Sequence, residues 1–489
     1  MNSVKALLTT LGLSVAIGGY AGQQVYWTGE VDNDWDTDTI NGNWKYYDQS
    51  TDTYRYTNDS TKHLTMESLF RADKVAFDEK FIEADYTVEF SKKSTKTSSE
   101  KVGIYAGTPE APIQFMAVDS ATNGISATAN TLLVGTGAVS GYLRLLSGSY
   151  DFGGVYVGWG RLENNGANFK CSSLSFANYG NYPEVPSCSL VQRGGSIVAS
   201  QKIEMGIASV FTNFSGTVTT GMLQIGSYSN NASFVVLDGL VSVTNTSGVC
   251  MGAESRGDKK KTKLCELKLD GGVFETRTIQ RINGVTNNVV FNGGVLRYYG
   301  SDAVVQNFIA PNVDIVVGAL GGTFDTAGSK LGVGSFDTDK ADDGVYTDFV
   351  SALDPEEEDG GLTFTGGGAV VLGRKNFGFT GPIRLTMGTF IEMRNQLAYV
   401  GAGNSTYPGK KGNKNIVFVF PDRTSSKMNG DYVVMRSKTA KFSASVLQNC
   451  RVENQPSNAK VAFSLRDYGE AGNEIVCSVE ISGFVMSIR

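Results

Sequence analysis

The feature that most constrains the fold is a recurring unit of short strands and glycine turns. Its first half is an apolar triplet ending in glycine: Ile104-Tyr105-Ala106-Gly107, Leu132-Leu133-Val134-Gly135, Val155-Tyr156-Val157-Gly158, Leu223-Gln224-Ile225-Gly226 and Val249-Cys250-Met251-Gly252. Its second half is a strand, a glycine turn and another strand. Examples run through Leu143-Arg144-Leu145, Val235-Val236-Leu237-Asp238-Gly239, Leu267-Lys268-Leu269-Asp270-Gly271 and Val290-Phe291-Asn292-Gly293. Gly135 and Gly158 are 23 residues apart, Gly226 and Gly252 are 26 apart, and Gly158 and Gly226 are 68 apart, close to three times 23. A period this short, made only of strands and turns, suits one coil of a parallel β-helix. A propeller blade needs about 40 residues or more. A sandwich calls for regular Asn-Gly hairpin signals, and the Asn-Gly pairs here, among them Asn41-Gly42, Asn165-Gly166, Asn283-Gly284 and Asn292-Gly293, form no regular series. One coil cannot bury its inward side chains alone; stacked coils pair backbones and merge inward rows into columns. From Gly103 to Phe390 the period predicts about a dozen coils, a rod about 60 Å long.

Residues 360–390 show the unit most sharply. Leu362-Thr363-Phe364 and Ile383-Arg384-Leu385-Thr386-Met387 alternate apolar and polar, Val370-Val371-Leu372 is an apolar run, and turns fall at Gly366-Gly367-Gly368, Gly373, Gly381 and Gly388. The stretch resembles the autotransporter-associated β-strand repeat, whose pattern is roughly GGLxKxGxGxLxLxGxNxYTGxTxVxxGTL. Matching positions are Gly360, Gly361, Leu362, Thr363, Gly366, Gly368, Leu372, Asn376, Phe379, Thr380, Gly381, Gly388, Thr389 and Phe390. Near the N-terminus, Trp27-Thr28-Gly29, Trp35 and Asn43-Trp44 resemble the opening of proteins in that group, and Asp73-Lys74-Val75-Ala76-Phe77 resembles its DxVxF continuation. The resemblance implies an exported parallel β-helix, passenger-like, and implies no chemistry. Physically, the Trp cluster is expected to cover the first coil, because an uncapped coil exposes apolar side chains and unpaired backbone.

Address and organisation follow from other stretches. Lys5, an apolar run from Ala6 to Ile17, and Gly19-Tyr20-Ala21 read as a cleavable signal peptide. The run is too short to cross a hydrocarbon core of about 30 Å comfortably. The expected domains are a signal peptide over 1–21, an aromatic-rich N-terminal β cap over 22–102, parallel β-helix repeats over 103–396 and a C-terminal β-rich cap over 397–489. Within the last, residues 415–420, 430–435, 459–465 and 475–481 read as longer strands. About ninety residues are too few for the translocator barrel that autotransporters carry, so the resemblance favours simple export. The six cysteines fall into neighbouring pairs, and with an export signal the simplest expectation is disulfides 171–188, 250–265 and 450–477.

Candidate chemistry is sparse. There is one histidine, His63, in the polar stretch Asn58-Asp59-Ser60-Thr61-Lys62; one histidine excludes His-rich metal sites, and a surface role is the plainer reading. No CxxC pair suggests zinc. Asp32, Asp34, Asp36 and Asp38 alternate, but Thr37 and Asn43 stand where an EF-hand loop needs Gly and Glu. A net charge of −6 and no basic stripe with interleaved aromatics argue against nucleic acid. Two charged insertions stand out: the Glu254-to-Lys261 loop, which contains Arg256-Gly257-Asp258, and the acidic stretch 337–359, expected as a solvated loop. Because some parallel β-helices cleave polysaccharides, Asp238, Asp270 and Asn292, each ahead of a turn glycine, are the candidate outward row. Asp and Asn there are also standard turn formers.

The sequence therefore predicts an all-β parallel β-helix, secreted or at the cell surface, acting as a structural or adhesive protein without catalysis. No catalytic, cofactor-binding or metal residue is assigned. A surface or matrix polysaccharide or protein partner and end-to-end self-association are the expected contacts; nucleic acid and a further membrane span are not. The alternative is a polysaccharide-binding or polysaccharide-cleaving β-helix.

Overall fold

The structure, a computed structural model, describes residues 107–110, 112–117, 124–135, 140–176, 188–206, 208–227, 231–252, 264–281, 286–334, 349–354, 356–372, 377–393, 415–422, 425–438 and 441–482, with the backbone of seven short strands between residues 25 and 105. It is a parallel β-helix in which three columns of strands wind around one axis.

Column 1 runs from Tyr86–Phe90 and Ile113–Ala117 through Ser140–Leu145, Ser209–Asn213, Ala232–Val236, Cys265–Leu269, Asn287–Phe291 and Asp314–Val317 to Phe349–Ser351 and Phe377–Gly378. Column 2 includes Leu240–Val243, Val273–Thr276, Val295–Tyr298, Gly322–Asp325, Leu362–Thr365, Ile383–Thr386, Ile416–Val419 and Cys450–Glu453. Column 3 includes Ser68–Arg71, Lys101–Tyr105, Val249–Met251, Ile279–Arg281, Val304–Ile309, Lys330–Val333, Ala369–Leu372 and Phe390–Met393. Two 18-residue strands, Trp159–Phe176 and Cys188–Met205, traverse all three columns, bending where their mutual register shifts.

The strands form because their apolar residues recur every second position. Ala232–Val236, Cys265–Leu269 and Asn287–Phe291 each bury alternate residues, and exact pairing lines up Phe234, Leu267 and Val289 in one inward row. Rings pack from coil to coil: Phe211 and Phe234 tilted at 4.6 Å, Phe291 and Phe324 tilted at 4.8 Å, Phe324 and Phe364 stacked at 5.5 Å. Each such buried side chain stabilises by roughly 1.5–3 kcal/mol. Since a slip of one residue would turn a whole row outward, stacking also fixes register.

The sequence pattern maps directly onto this frame. The triplet-glycine half-units are column 3 strands and the exit turn, where Gly135 and Gly252 donate to the Ile104 and Ile225 carbonyls one coil below. The strand-turn-strand half-units are columns 1 and 2. Between Gly158 and Gly226 lie three coils, as the spacing predicts, with column 3 passing Val157↔Phe176 and Met205↔Ile225. Residues 360–390 supply the expected strands to columns 2, 3, 1, 2 and 3 in turn.

Parallel pairing reaches beyond 103–396. It includes Ser68–Arg71 on Lys101–Tyr105 and, far downstream, Ile416–Val419 on Cys450–Glu453. At both ends column 3 changes to antiparallel pairing. At the start, Val25–Trp27 lies antiparallel to Trp44–Asp48, with Trp27 opposite Trp44, and Thr53–Tyr56 follows. At the finish, Gly430–Ser437 pairs antiparallel with Gly472–Ile481, which pairs with Ala459–Tyr468. A 3₁₀ turn at Ala444–Asn449 sets Val446 in the core.

The expected disulfides are a correction. All six cysteines are free and buried. Cys171 ends a column 2 strand and Cys188 begins the next column 1 strand, so a column 3 segment separates them. Cys250 lies outward between Gln224 and Gln280, whereas Cys265 faces the core: the two thiols sit on opposite sides of the backbone. Cys450 and Cys477 both face inward at the C-terminal end and are not bonded.

Candidate functional site

The corners between columns differ sharply. From column 1 to column 2, seven successive coils use three turn residues each. The register Leu145, Asn164, Gln192, Asn213, Val236, Leu269, Phe291 leads in step to Ser149, Asn168, Ser196, Thr217, Leu240, Val273, Val295. From column 3 to column 1 the connection ranges from one residue, Gly158, to the fifteen residues 334–348. The segments 177–187, 253–263 and 335–348 all leave column 3 and return to column 1. The charged insertion containing Arg256-Gly257-Asp258 and the first part of the acidic insertion therefore root on the same corner, three column 1 strands apart. Their own residues lie outside the described residues, as do His63, Asp32, Asp34, Asp36, Asp38 and residues 1–21.

The fixed corner is held in two ways. In its early coils, amides on the last inward position of column 1 fold back on the turn. Asn164 accepts from Ala167 N at 2.9 Å and donates to Ala167 O at 3.0 Å, and Gln192 donates to Gly194 O at 2.7 Å; Asn213 reaches the turn one coil on instead, donating to Asp238 O at 2.6 Å. In later coils Leu269 and Phe291 take that inward position and glycine makes the turn. A Cβ on Gly271 would lie 2.1 Å from the Leu237 carbonyl oxygen, so only glycine fits there.

This geometry resolves the candidate row. Asp270 and Asn292 are first in their three-residue turns, but Asp238 is second, behind Leu237. The three do not share a position. Asp238 Oδ1 accepts from Gly239 N at 2.7 Å, inside its own turn, and Asn292 Oδ1 accepts from Leu320 N at 3.2 Å, one coil on.

Three outward stretches place charges of both signs side by side. On column 1, Glu163 accepts from Arg144 at 2.6 Å and from Arg161 at 3.3 Å. On column 2, Ser242 donates to Glu275 at 2.6 Å, and Arg297 stands between Glu275 at 3.9 Å and Asp325 at 2.8 Å. On column 3, Glu392, only 1% exposed, binds Lys330 at 2.8 Å and Arg436 at 3.3 Å, and the Arg436 guanidinium lies 4.2 Å from the Phe390 ring centroid and 4.9 Å from that of Tyr468. The pairing continues to Glu474 and Arg466, which meet at 2.6 Å. In these stretches the carboxylates meet cations on other strands, which favours register over proton transfer.

One carboxylate that sequence reasoning placed in a solvated loop is buried. Asp359 is 2% exposed. Its oxygens accept from Thr380 N at 2.6 Å, Gly381 N at 2.8 Å, Gly361 N at 3.0 Å and Thr380 Oγ1 at 3.0 Å, while its own N–H donates to Thr380 Oγ1 at 2.9 Å. The expected loop is corrected further by Phe349–Ser351, a column 1 strand inside it. The signal available was Gly360-Gly361 beside Asp359 and Thr380-Gly381 one coil on: small residues that let backbone amides converge on a carboxylate.

Burial pushes the Cys171 and Cys477 thiols up to about 12, with smaller contributions from Asp151 at the first and from Cys450 and Asp431 at the second. It pushes Cys265 and Cys450 up to about 11. Such thiols are poor nucleophiles. Among the described residues no group of three or more His, Cys, Asp or Glu side chains is placed to hold a metal ion, and no helix is long and apolar enough to cross a membrane. No family model, curated protein or solved structure matches the chain.

Proposed function

We propose that the protein is an exported rod of the cell surface or extracellular matrix that acts by presentation and adhesion rather than catalysis. The observation that carries this reading is the asymmetry of the corners through the middle of the rod: one is fixed in length over seven coils, and the other takes the insertions 177–187, 253–263 and 335–348. In solenoids, insertions gathered on one side commonly form the binding face. Here that side roots a segment with five Lys and Arg against two acidic residues, 253–263, and one with five Asp against a single Lys, 335–348. A partner bearing both signs of charge, either a protein or a charged surface polysaccharide, matches them. Export by the signal peptide over 1–21 and kinship with the autotransporter-associated repeat, suggested by the 360–390 pattern, belong to the same reading, as does end-to-end association.

The deciding experiment is incubation of purified protein with a panel of acidic and neutral glycans and matrix proteins. Binding that weakens with salt, without release of reducing ends or unsaturated products, supports the proposal. Turnover overturns it in favour of the polysaccharide-cleaving alternative. Export is tested separately by expressing the full chain and weighing the secreted product; retention of residues 1–21 would sink that part.

A further inference from the structure

Ala459–Tyr468 is the outermost strand at the C-terminal end of column 3. One edge pairs with Gly472–Ile481 along its whole length, from Ala459↔Ile481 to Tyr468↔Gly472; among the described residues no strand pairs with the other edge. The strand has two rows. Val461, Phe463 and Leu465 pack half-buried against the core. Lys460, Ala462, Ser464 and Arg466 are exposed. Ala459 is closed by its own chain, its N–H donating to Pro456 O at 3.0 Å and its carbonyl accepting from Gln455 at 2.9 Å; beyond it the edge, with its apolar row, offers both backbone groups and side chains to another strand.

The geometry points to a second copy of this same strand as the occupant, antiparallel about a two-fold axis at Phe463. Antiparallel pairing about that axis sets Val461 opposite Leu465 and Phe463 opposite its own copy, so the two half-buried rows become continuous. It sets Ala462 opposite Ser464, both small. It also sets Lys460 opposite Arg466, a like-charge pair of the kind that normally keeps edges apart. Arg466 is answered within its own chain, and Lys460 stands beside an acidic residue in the register. Lys460 is the register partner of Glu480, and Arg466 holds Glu474 at 2.6 Å and Asp431 at 3.4 Å. The contact is isologous and closes on itself, giving a dimer of rods joined end to end rather than a filament. This rests on the reading of the chain as an end-associating rod, but it needs no partner molecule and is read without one.

The test combines sedimentation of the wild-type chain across a dilution series with two kinds of surface variant. Wild type is expected to dissociate from dimer to monomer on dilution. Ala462→Asp with Ser464→Asp places like charges directly opposite across the axis, and should weaken the dimer by about tenfold or more with an unchanged melting temperature, since both sites are exposed. Under mild oxidation, Ala462→Cys mixed with Ser464→Cys should give a mixed disulfide dimer, and either variant alone should give far less. The six native thiols are buried and do not compete. A wild type that is monomeric throughout, a dimer indifferent to the Asp variants, or crosslinking that ignores the Ala462–Ser464 register overturns the proposal.

Discussion

The two corners that flank column 1 obey opposite rules. The 1→2 corner keeps three turn residues through seven coils, and its sequence varies only among solutions to one geometric problem: an amide folded back on the turn, or glycine where no Cβ fits. The 3→1 corner admits anything from Gly158 alone to fifteen residues. Columns 1 and 2 share this difference as a cause of order: a rigid link passes register from one to the other, and a loose link leaves register to the strands themselves. A solenoid needs only one loose corner per coil to accumulate insertions, and over these seven coils the 1→2 corner stays clear of them.

The sharpest way to break this contrast is to add one residue to the tight corner. A single Ala inserted between Gly271 and Gly272 forces Val273–Thr276 either to slip, turning Phe274 outward, or to buckle the turn. Losing Phe274 from the core alone costs about 3–5 kcal/mol, so urea unfolding should show the largest loss of any change considered. A loss below about 1 kcal/mol would show that the corner's constant length is not a constraint.

At the C-terminal end the tight corner is interrupted, and Asp359 replaces turn geometry as the organiser. Asp359→Ala removes the acceptor for three backbone N–H groups and a hydroxyl. Stranding those donors should cost about 3 kcal/mol, more than an ordinary hydrogen bond. Asp359→Asn should lose less, since one carbonyl oxygen still accepts. Equal losses in the two variants would mean that space, not acceptance, matters at this position.

How much of this was legible in the sequence follows from which interactions are local. The coil period, the strands of residues 360–390 and the triplet-glycine exit turns were readable because each depends on alternation and glycine within a few residues. The pairing of cysteines was not, because sequence proximity hides which side of a strand a thiol takes: Cys250 and Cys265 differ by that alone. Asp359 was hidden because its partners Thr380 and Gly381 arrive one coil later. Asp238 looked equivalent to Asp270 because both precede glycine, and only the register, with Leu237 in the first place, separates them.

The core that both corners enclose has a pH signature. Burial raises four thiols to about 11 or 12, above their unfolded value near 9. Folded-state pKa values raised in this way give stability that is complete below about pH 9 and lost as pH climbs towards 11–12. Each thiol contributes up to about 1.4 kcal/mol per pH unit in that window. Melting temperature should therefore be flat from neutral pH to about 8.5 and fall above 9. Cys171→Ala with Cys477→Ala should shallow the fall. A thiol reagent at pH 8 should label the native protein slowly and the urea-unfolded protein at once; fast native labelling would contradict the burial.

The smallest expected change in stability is at the loose corner, and it separates structure from function. Replacing residues 253–263 with a glycine-serine link of about half the length alters loop-closure entropy by only about 0.6 kcal/mol. The anchoring strands Val249–Met251 and Cys265–Leu269 keep their partners on both sides, so the unfolding midpoint should barely move. The same replacement removes five cations and two anions from the corner where the acidic segment 335–348 also roots. If that corner is the binding face, affinity for an anionic partner should fall, with a weaker salt dependence, while the fold is untouched. The tight corner gives the mirror image, in which a change of one residue damages the fold first. A loop replacement that destabilised the rod as much as the Gly271–Gly272 insertion would erase the distinction, because both corners would then be structural.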